Sequence, residues 1–308
     1  LACRFLPALP IHLPHLELEL ELVMPLKNCI GVDHVVITVR DLDAAARTWA
    51  DLGFTIAPRG VHSAHMGTGN HTIMLAEDYI ELLGVLAPTE RNLTTRQFLA
   101  EREGLERIAL TALDAGGLAE ELKLRGLAAI GPVPFSRPVD FGGGRTGEAR
   151  FETTQWPLDR KPGGMRLFAC QHFTRETVWL PDLVRQPNTA ARIDRIECIS
   201  ANPKSAAEEA ASLIASEVQA DGPGRFRVES GRPRAAFVFL SRDALAAAHP
   251  GIVLDGVPAE GAVTLALKVA SASALTELSK KAGAVTGMNR VTFPPSRATG
   301  VLLEFSLA

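Results

Sequence analysis

GVDHVVITVRDLDAAARTWADLGF, residues 31–54, states in miniature how this chain folds. GVDHVVITV is β-branched and alternating, a strand signal. Asp41 or Asp43 can cap the helix that the Ala-rich segment favours, and Gly53 can stop it. Three strand-like runs follow, TIAPRGVHSAH, GNHTIMLAE and DYIELLGVL, so the order is β-α-β-β-β. The layout then recurs. An ungapped shift of 73 places sets Arg107 on His34, Asp114 on Asp41 and Gly126 on Gly53. A shift of 161 sets Asp194 on Asp33 and Arg195 on His34, and a shift of 230 sets Thr264 on His34, Ser271 on Asp41 and Gly283 on Gly53. Strand, helix and stop in register four times over read as an internal repeat.

A β-α-β-β-β unit exposes one apolar sheet face and must pair to bury it. Four units therefore predict two pairs in an α+β fold, with a break near residues 181–191. Residues 30–180 form the first pair and 190–308 the second, joined by LPDLVRQPNTA. APTERNLTTRQFLAERE reads as a polar linker between units one and two, and DFGGGRTGE as a loop or hairpin turn. Residues 1–29 form a leader. Its first 23 residues precede Met24 and lack the charged start, apolar centre and small-residue cleavage site of a secretory signal. They read as a misassigned start or a disordered extension.

Composition excludes several classes. The chain has 308 residues, a net charge of −3, 46% hydrophobic and 22% charged residues, so nothing points to nucleic acid or an anionic membrane. No apolar run approaches the ~20 residues of a membrane span. Four cysteines without a CxxC pairing suggest reduced thiols and a cytoplasmic protein. Neither GTG at 67–69 nor GGG at 142–144 opens a nucleotide-binding helix. There is no GxSxG nucleophile motif.

With the opening segment, HMGTGNHTIML (65–75), YIELLGV (79–85) and LFACQHFT (167–174) resemble the glyoxalase-like domain proteins of the vicinal oxygen chelate superfamily. The resemblance is strongest over 30–180 and weaker over 190–308, where PPSRATGVLLEFS still looks like a closing unit. It implies that each pair of units curls into an open, barrel-like sheet around a cavity. It also implies a metal-dependent glyoxalase-like enzyme, in which a divalent metal ion (Fe, Mn, Zn or Ni) chelates vicinal oxygens of a small-molecule substrate. The chemistry would be of lyase/isomerase or dioxygenase type. The alternative within the same fold is a metal-free protein that binds or sequesters a small molecule, as monomer or homodimer.

The residues carry this unevenly. His34 matches the family's first-strand ligand position; its bland reading is a satisfied core or surface histidine. Glu81 interrupts the apolar run YIELLGVL, where a carboxylate is costly unless paired or metal-bound. It matches the last-strand glutamate and is the candidate catalytic base as well as a ligand; a salt bridge to Arg107 is the alternative. His172 would complete a two-His-one-carboxylate set with His34 and Glu81, although Phe168 or Cys170 could occupy the inward register instead. Arg107 departs from the pattern, because a guanidinium cannot ligate. It can hold a substrate carboxylate or neutralise Glu81. His65 and Asn70, beside the glycine-rich turn, are further candidates for substrate contact. The second pair carries Arg195, Thr264 and Glu304 in equivalent places, with no histidine beside Glu304, and reads as a structural half.

Overall fold

The structure, a computed structural model, describes residues 25–141, 144–231 and 233–308. Most of the leader, residues 1–24, lies outside the described residues, and β1 begins at its last position, Cys29. Each unit forms a strand, a helix and a hairpin-rich return. Unit one contains β1 (Cys29–Val39), α1 (Leu42–Asp51), β2 (Gly60–Val61), β3 (Thr68–Met74) and β4 (Tyr79–Val85). Unit two contains β5 (Gly104–Ala112), α3 (Ala115–Leu124), β6 (Ile130–Asp140), β7 (Thr146–Gln155) and β8 (Arg166–His172). Between them the segment read as a linker is helical, α2 (Leu93–Glu101). Among its residues only Thr95 is buried, so it lacks the apolar stripe that announces a helix.

After the short helix α4 (Pro181–Val184), unit three contains β9 (Ala190–Ile199), α5 (Pro203–Ile214), β10 (Val218–Ala220), β11 (Arg225–Glu229) and β12 (Ala236–Leu240). Helix α6 (Arg242–Ala248) leads to unit four, with β13 (Gly261–Val269), α7 (Ala272–Ser279), β14 (Val285–Gly287), β15 (Arg290–Phe293) and β16 (Leu302–Leu307). The result is two eight-stranded mixed sheets of the same topology, β2-β3-β4-β1-β5-β8-β7-β6 and β10-β11-β12-β9-β13-β16-β15-β14. In the first, edge strands β2 and β6 approach each other, so the sheet nearly closes into a barrel.

The four unit helices begin where the repeat predicts. Asp41, Asp114, Asn202 and Ser271 are their N-caps, and Asp41, Asn202 and Ser271 accept a hydrogen bond from a backbone N–H of the first turn. All four helices bury their apolar faces in one core. It runs from Val35, Ile37 and Trp49 in the first half to Ile196, Phe237 and Phe305 in the second. The indole N–H groups of Trp49 and Trp156 donate across the junction, to Thr299 Oγ1 at 2.9 Å and Leu213 O at 2.8 Å. Asp78, at the foot of β4, accepts the Ile193 N–H of β9.

One irregularity positions the site. Val32 and His34 lie opposite the adjacent residues Leu110 and Ala109, which leaves Asp33 as an extra residue in β1. The partner strand does the same at Glu106, β9 at Asp194 and β13 at Val263. These are β-bulges, and all four fall at one equivalent place in the repeat. A bulge breaks the alternation of a strand. Val32, Val35, Ile37 and Val39 point to the helix-covered core, while Asp33 and His34 both reach the inner face of the barrel.

Candidate functional site

Inside the first barrel, His34 is buried between two rings. Tyr79 stacks on it with centroids 4.2 Å apart, and Phe168 meets it edge-on at 5.4 Å. His34 Nδ1 lies 2.7 Å from Asp33 Oδ1. Burial alone would raise the Asp33 carboxyl, but hydrogen bonds from His172 and His34 hold it well below the usual carboxylate range. As a carboxylate Asp33 only accepts, so His34 donates to it through Nδ1 and turns Nε2 away from it. That atom faces Glu81 Oε2 at 3.8 Å, beyond hydrogen-bond length. The other carboxylate oxygen of Glu81 accepts from Asn70 Nδ2 at 2.6 Å.

The remaining candidates take other places. His172 donates through Nε2 to Asp33 Oδ1 at 3.1 Å and leaves Nδ1 buried without a partner. The register pairs Phe168 with Ala109 just as it pairs Glu81 with Val36, so Phe168 holds the position equivalent to Glu81 and His172 lies four residues beyond it. Arg107 does not neutralise Glu81. It donates to its neighbour Glu106, through Nε at 3.0 Å and Nη2 at 2.7 Å, and to Thr95 Oγ1. Arg166 Nη2 shares the same carboxylate at 2.6 Å. Burial works against the Glu106 charge, but Arg107 and Arg166 prevail and its carboxyl lies below the ordinary value. His65 is exposed in the loop between β2 and β3.

An aromatic lining surrounds this network. Phe135 stacks on Phe151, Phe151 meets His172, and Trp179, from the strap that follows β8, packs edge-on against both His172 and Tyr79. The sequence pattern did not single out Asp33, Glu106, Arg166, Tyr79 or Trp179. A signal for the first two was present, since an acidic residue precedes the repeated slot in three units: Asp33, Glu106 and Asp194.

The sequence matches the family described as glyoxalase-like domain over residues 32–214. The chain belongs to that family. Among curated proteins none matches. Solved structures share the fold. A hypothetical protein from Staphylococcus aureus is 14% identical, with a TM-score of 0.63, over 90% of this chain and 99% of that one. A mutant of 4-hydroxymandelate synthase from Streptomyces coelicolor is 14% identical, with a TM-score of 0.57, over 92% of this chain and 94% of its own. The Mn(II)-bound glyoxalase from Novosphingobium aromaticivorans is 13% identical, with a TM-score of 0.53, over 92% and 83%. Similarity at this level concerns the fold. No helix among the described residues is long and apolar enough to cross a membrane.

Whether these residues suit a resident metal follows from the donor set. The four equivalent inward positions hold His34, Glu81, Arg107 and Phe168, and only the first two can ligate. The carboxylate behind His34 is the second shell that ligating histidines have. His172 is committed to Asp33, and no three His, Cys, Asp or Glu side chains among the described residues are grouped to hold a metal ion. Two donors are a thin set for a first-row divalent ion. The arrangement fits such a centre poorly.

In the second sheet, Arg195 occupies the slot of His34. It donates to Glu197 at 2.9 Å and to Glu304 at 2.9 Å. Glu304 does have a histidine beside it: His249, at the C-cap of α6, contacts Glu197 Oε2 through Nε2 at 2.6 Å, with Nδ1 3.6 Å from Glu304 Oε2. Burial opposes the Glu197 charge, but His249 and Arg195 hold its carboxyl far below the usual range.

Proposed function

We propose that the first barrel is the working site of a glyoxalase-type enzyme that moves a proton on a small, oxygen-bearing substrate. Glu81 is the base and His34 its oriented, neutral partner. The observation that carries this reading is the unbonded pair, His34 Nε2 facing Glu81 Oε2 at 3.8 Å with the tautomer fixed by Asp33. His34 and Glu81 stand side by side among aromatic rings on the inner face of the sheet. Both can act on a third group placed between them. Glu81 takes a proton from carbon next to a carbonyl. Asn70, donating to the far oxygen of Glu81, keeps its carboxylate turned inward.

A second reading, in which His34 and Glu81 are the protein ligands of a divalent metal ion, is favoured by the Asp33 contact behind His34. One experiment addresses both readings. Pooled 2-hydroxy ketones, 2-oxo acids and hemithioacetals are incubated in D2O with metal-free and metal-supplemented protein, and deuterium incorporation is followed by NMR. The proposal expects exchange without metal that falls at least about 100-fold in Glu81→Gln. Exchange that needs added metal selects the second reading. Equal exchange with wild type and Glu81→Gln overturns Glu81 as the base.

A further inference from the structure

The long hairpin strand β6 carries an arginine where its pattern calls for an apolar residue. Along β6, Pro132, Pro134, Ser136 and Pro138 are exposed, while Val133, Phe135, Arg137 and Val139 turn toward the barrel interior. Phe135 and Val139 pack into the inner apolar cluster, and the cross-strand neighbour of Arg137 is the fully buried Ala149. Arg137 thus has no counter-ion across the ladder. It makes no ion pair with any described carboxylate, whereas Arg107 and Arg166, the other inward arginines, share Glu106. A guanidinium drawn partly out of water without a partner is costly, and such groups are kept where a ligand supplies the missing charge.

Its location narrows what that ligand is. Arg137 Nη1 lies 3.5 Å from the point that a β-carbon on Gly60 would occupy, so it spans the seam between β6 and β2. Asn70 Oδ1 borders the same point, and Asn70 Nδ2 is bonded to Glu81. Arg137 therefore stands one side chain away from the His34–Glu81 pair. Its field is felt there: it works with burial to lower His62 and opposes the upward shift of Tyr79. The stacked rings of Phe135 and Phe151 stand on the same inner face.

Resting on the reading of the first barrel as the working site, we infer that its substrates are small organic carboxylates with an apolar body. Arg137 holds the carboxylate at the β2–β6 seam. The rings of Phe135 and Phe151 hold the body, and the carbon that loses its proton lies toward Glu81. Arg137 is then the residue that distinguishes an acid from its neutral analogue, since a paired guanidinium–carboxylate contact is charge-assisted and directional.

The test uses matched probes, benzoate against benzamide and hexanoate against hexanamide. Their dissociation constants are measured by ligand-observed NMR with the full chain. Wild type is expected to bind each acid at least about 10-fold more tightly than its amide. Arg137→Gln abolishes that preference, and Arg137→Lys, which keeps the charge but not the fork, retains part of it. Far-UV circular dichroism establishes that each variant folds. No acid preference in wild type up to the solubility limit, or a preference that survives in Arg137→Gln, overturns the inference. Its failure is separable from that of the proton-transfer reading. Exchange unaffected by Glu81→Gln, with acid preference still lost in Arg137→Gln, sinks only the latter. Exchange lost in Glu81→Gln, without acid preference in wild type, sinks only the former.

Discussion

The two sheets share a topology, a bulge and a set of inward positions, yet they fill the same slot differently. In the first, His34 faces Glu81 across 3.8 Å with no bond between them. In the second, Arg195 bonds both Glu197 and Glu304, and His249 adds a second contact to Glu197. Glu197 and His249 are buried, as is Glu304, so Arg195 joins a buried cluster of charges. The difference shows what a repeat can do with one scaffold. One copy fills the slot with an arginine bonded to two carboxylates, and the other fills it with a histidine bonded to one.

The comparison is broken most severely at Arg195. Arg195→Ala removes the arginine bonded to both buried carboxylates, leaving Glu197 with His249 and with Arg225 at 3.5 Å and Glu304 with Arg290 at 3.6 Å, and is expected to cost about 3–5 kcal/mol in urea unfolding. A loss under about 1 kcal/mol would mean that the second sheet is not held by this network. Next is Asp33→Asn, which weakens the contacts from His34 and His172. It is expected to cost about 1.5–3 kcal/mol and to depress deuterium exchange; unaltered exchange would show that Asp33 does not orient His34.

Acid should act through the same groups. Asp33 and Glu197 have carboxyls held below their ordinary range, so their stabilisation is present at neutral pH and lost as pH falls through and below that range. Asp78 has the opposite sign. Burial, against the Ile193 N–H and Arg234, pushes it up to about 7, so its contribution falls as pH rises from the ordinary carboxylate value toward 7. The stability of Asp78→Asn relative to wild type should therefore improve by roughly 2 kcal/mol between pH 5 and pH 8. A flat difference in chemical denaturation would contradict the upward shift. The smallest stability effect is expected for Glu81→Gln, within about 1 kcal/mol of wild type because no buried cation is left unpaired. A loss as large as that of Arg195→Ala would place Glu81 in the structural frame.

Much of this contrast was legible in the sequence. The repeat set Asp114 and Ser271 on the cap position of Asp41, and it located the slot that holds His34, Arg107, Arg195 and Thr264. It also led to Glu81, because a carboxylate in an apolar strand stands out. Other features were hidden for identifiable reasons. A bulge inserts a residue without changing composition, so a period-two reading could not place Asp33 and His34 on one face. The register of β8 was ambiguous between Phe168, Cys170 and His172, all of one parity, and only the pairing with β5 ranks them. His249 reaches Glu197 from a helix end 52 residues away, which no local pattern announces. Arg137 lies in a run, PVPFSRPV, that reads as a strand, but which of its two faces turns inward shows only in the structure.

The central claim is that Asp33 orients His34 so that Nε2 is an available lone pair facing Glu81, and the histidine tautomers report it directly. Nitrogen-15 NMR of histidine-labelled protein, assigned with His34→Gln and His249→Gln, reads the protonation of each ring nitrogen. Asp33 behind Nδ1 predicts His34 protonated on Nδ1 with a bare Nε2, and Glu197 beside Nε2 predicts His249 protonated on Nε2. A proton on Nε2 of His34, or a bare Nε2 on His249, would contradict the account.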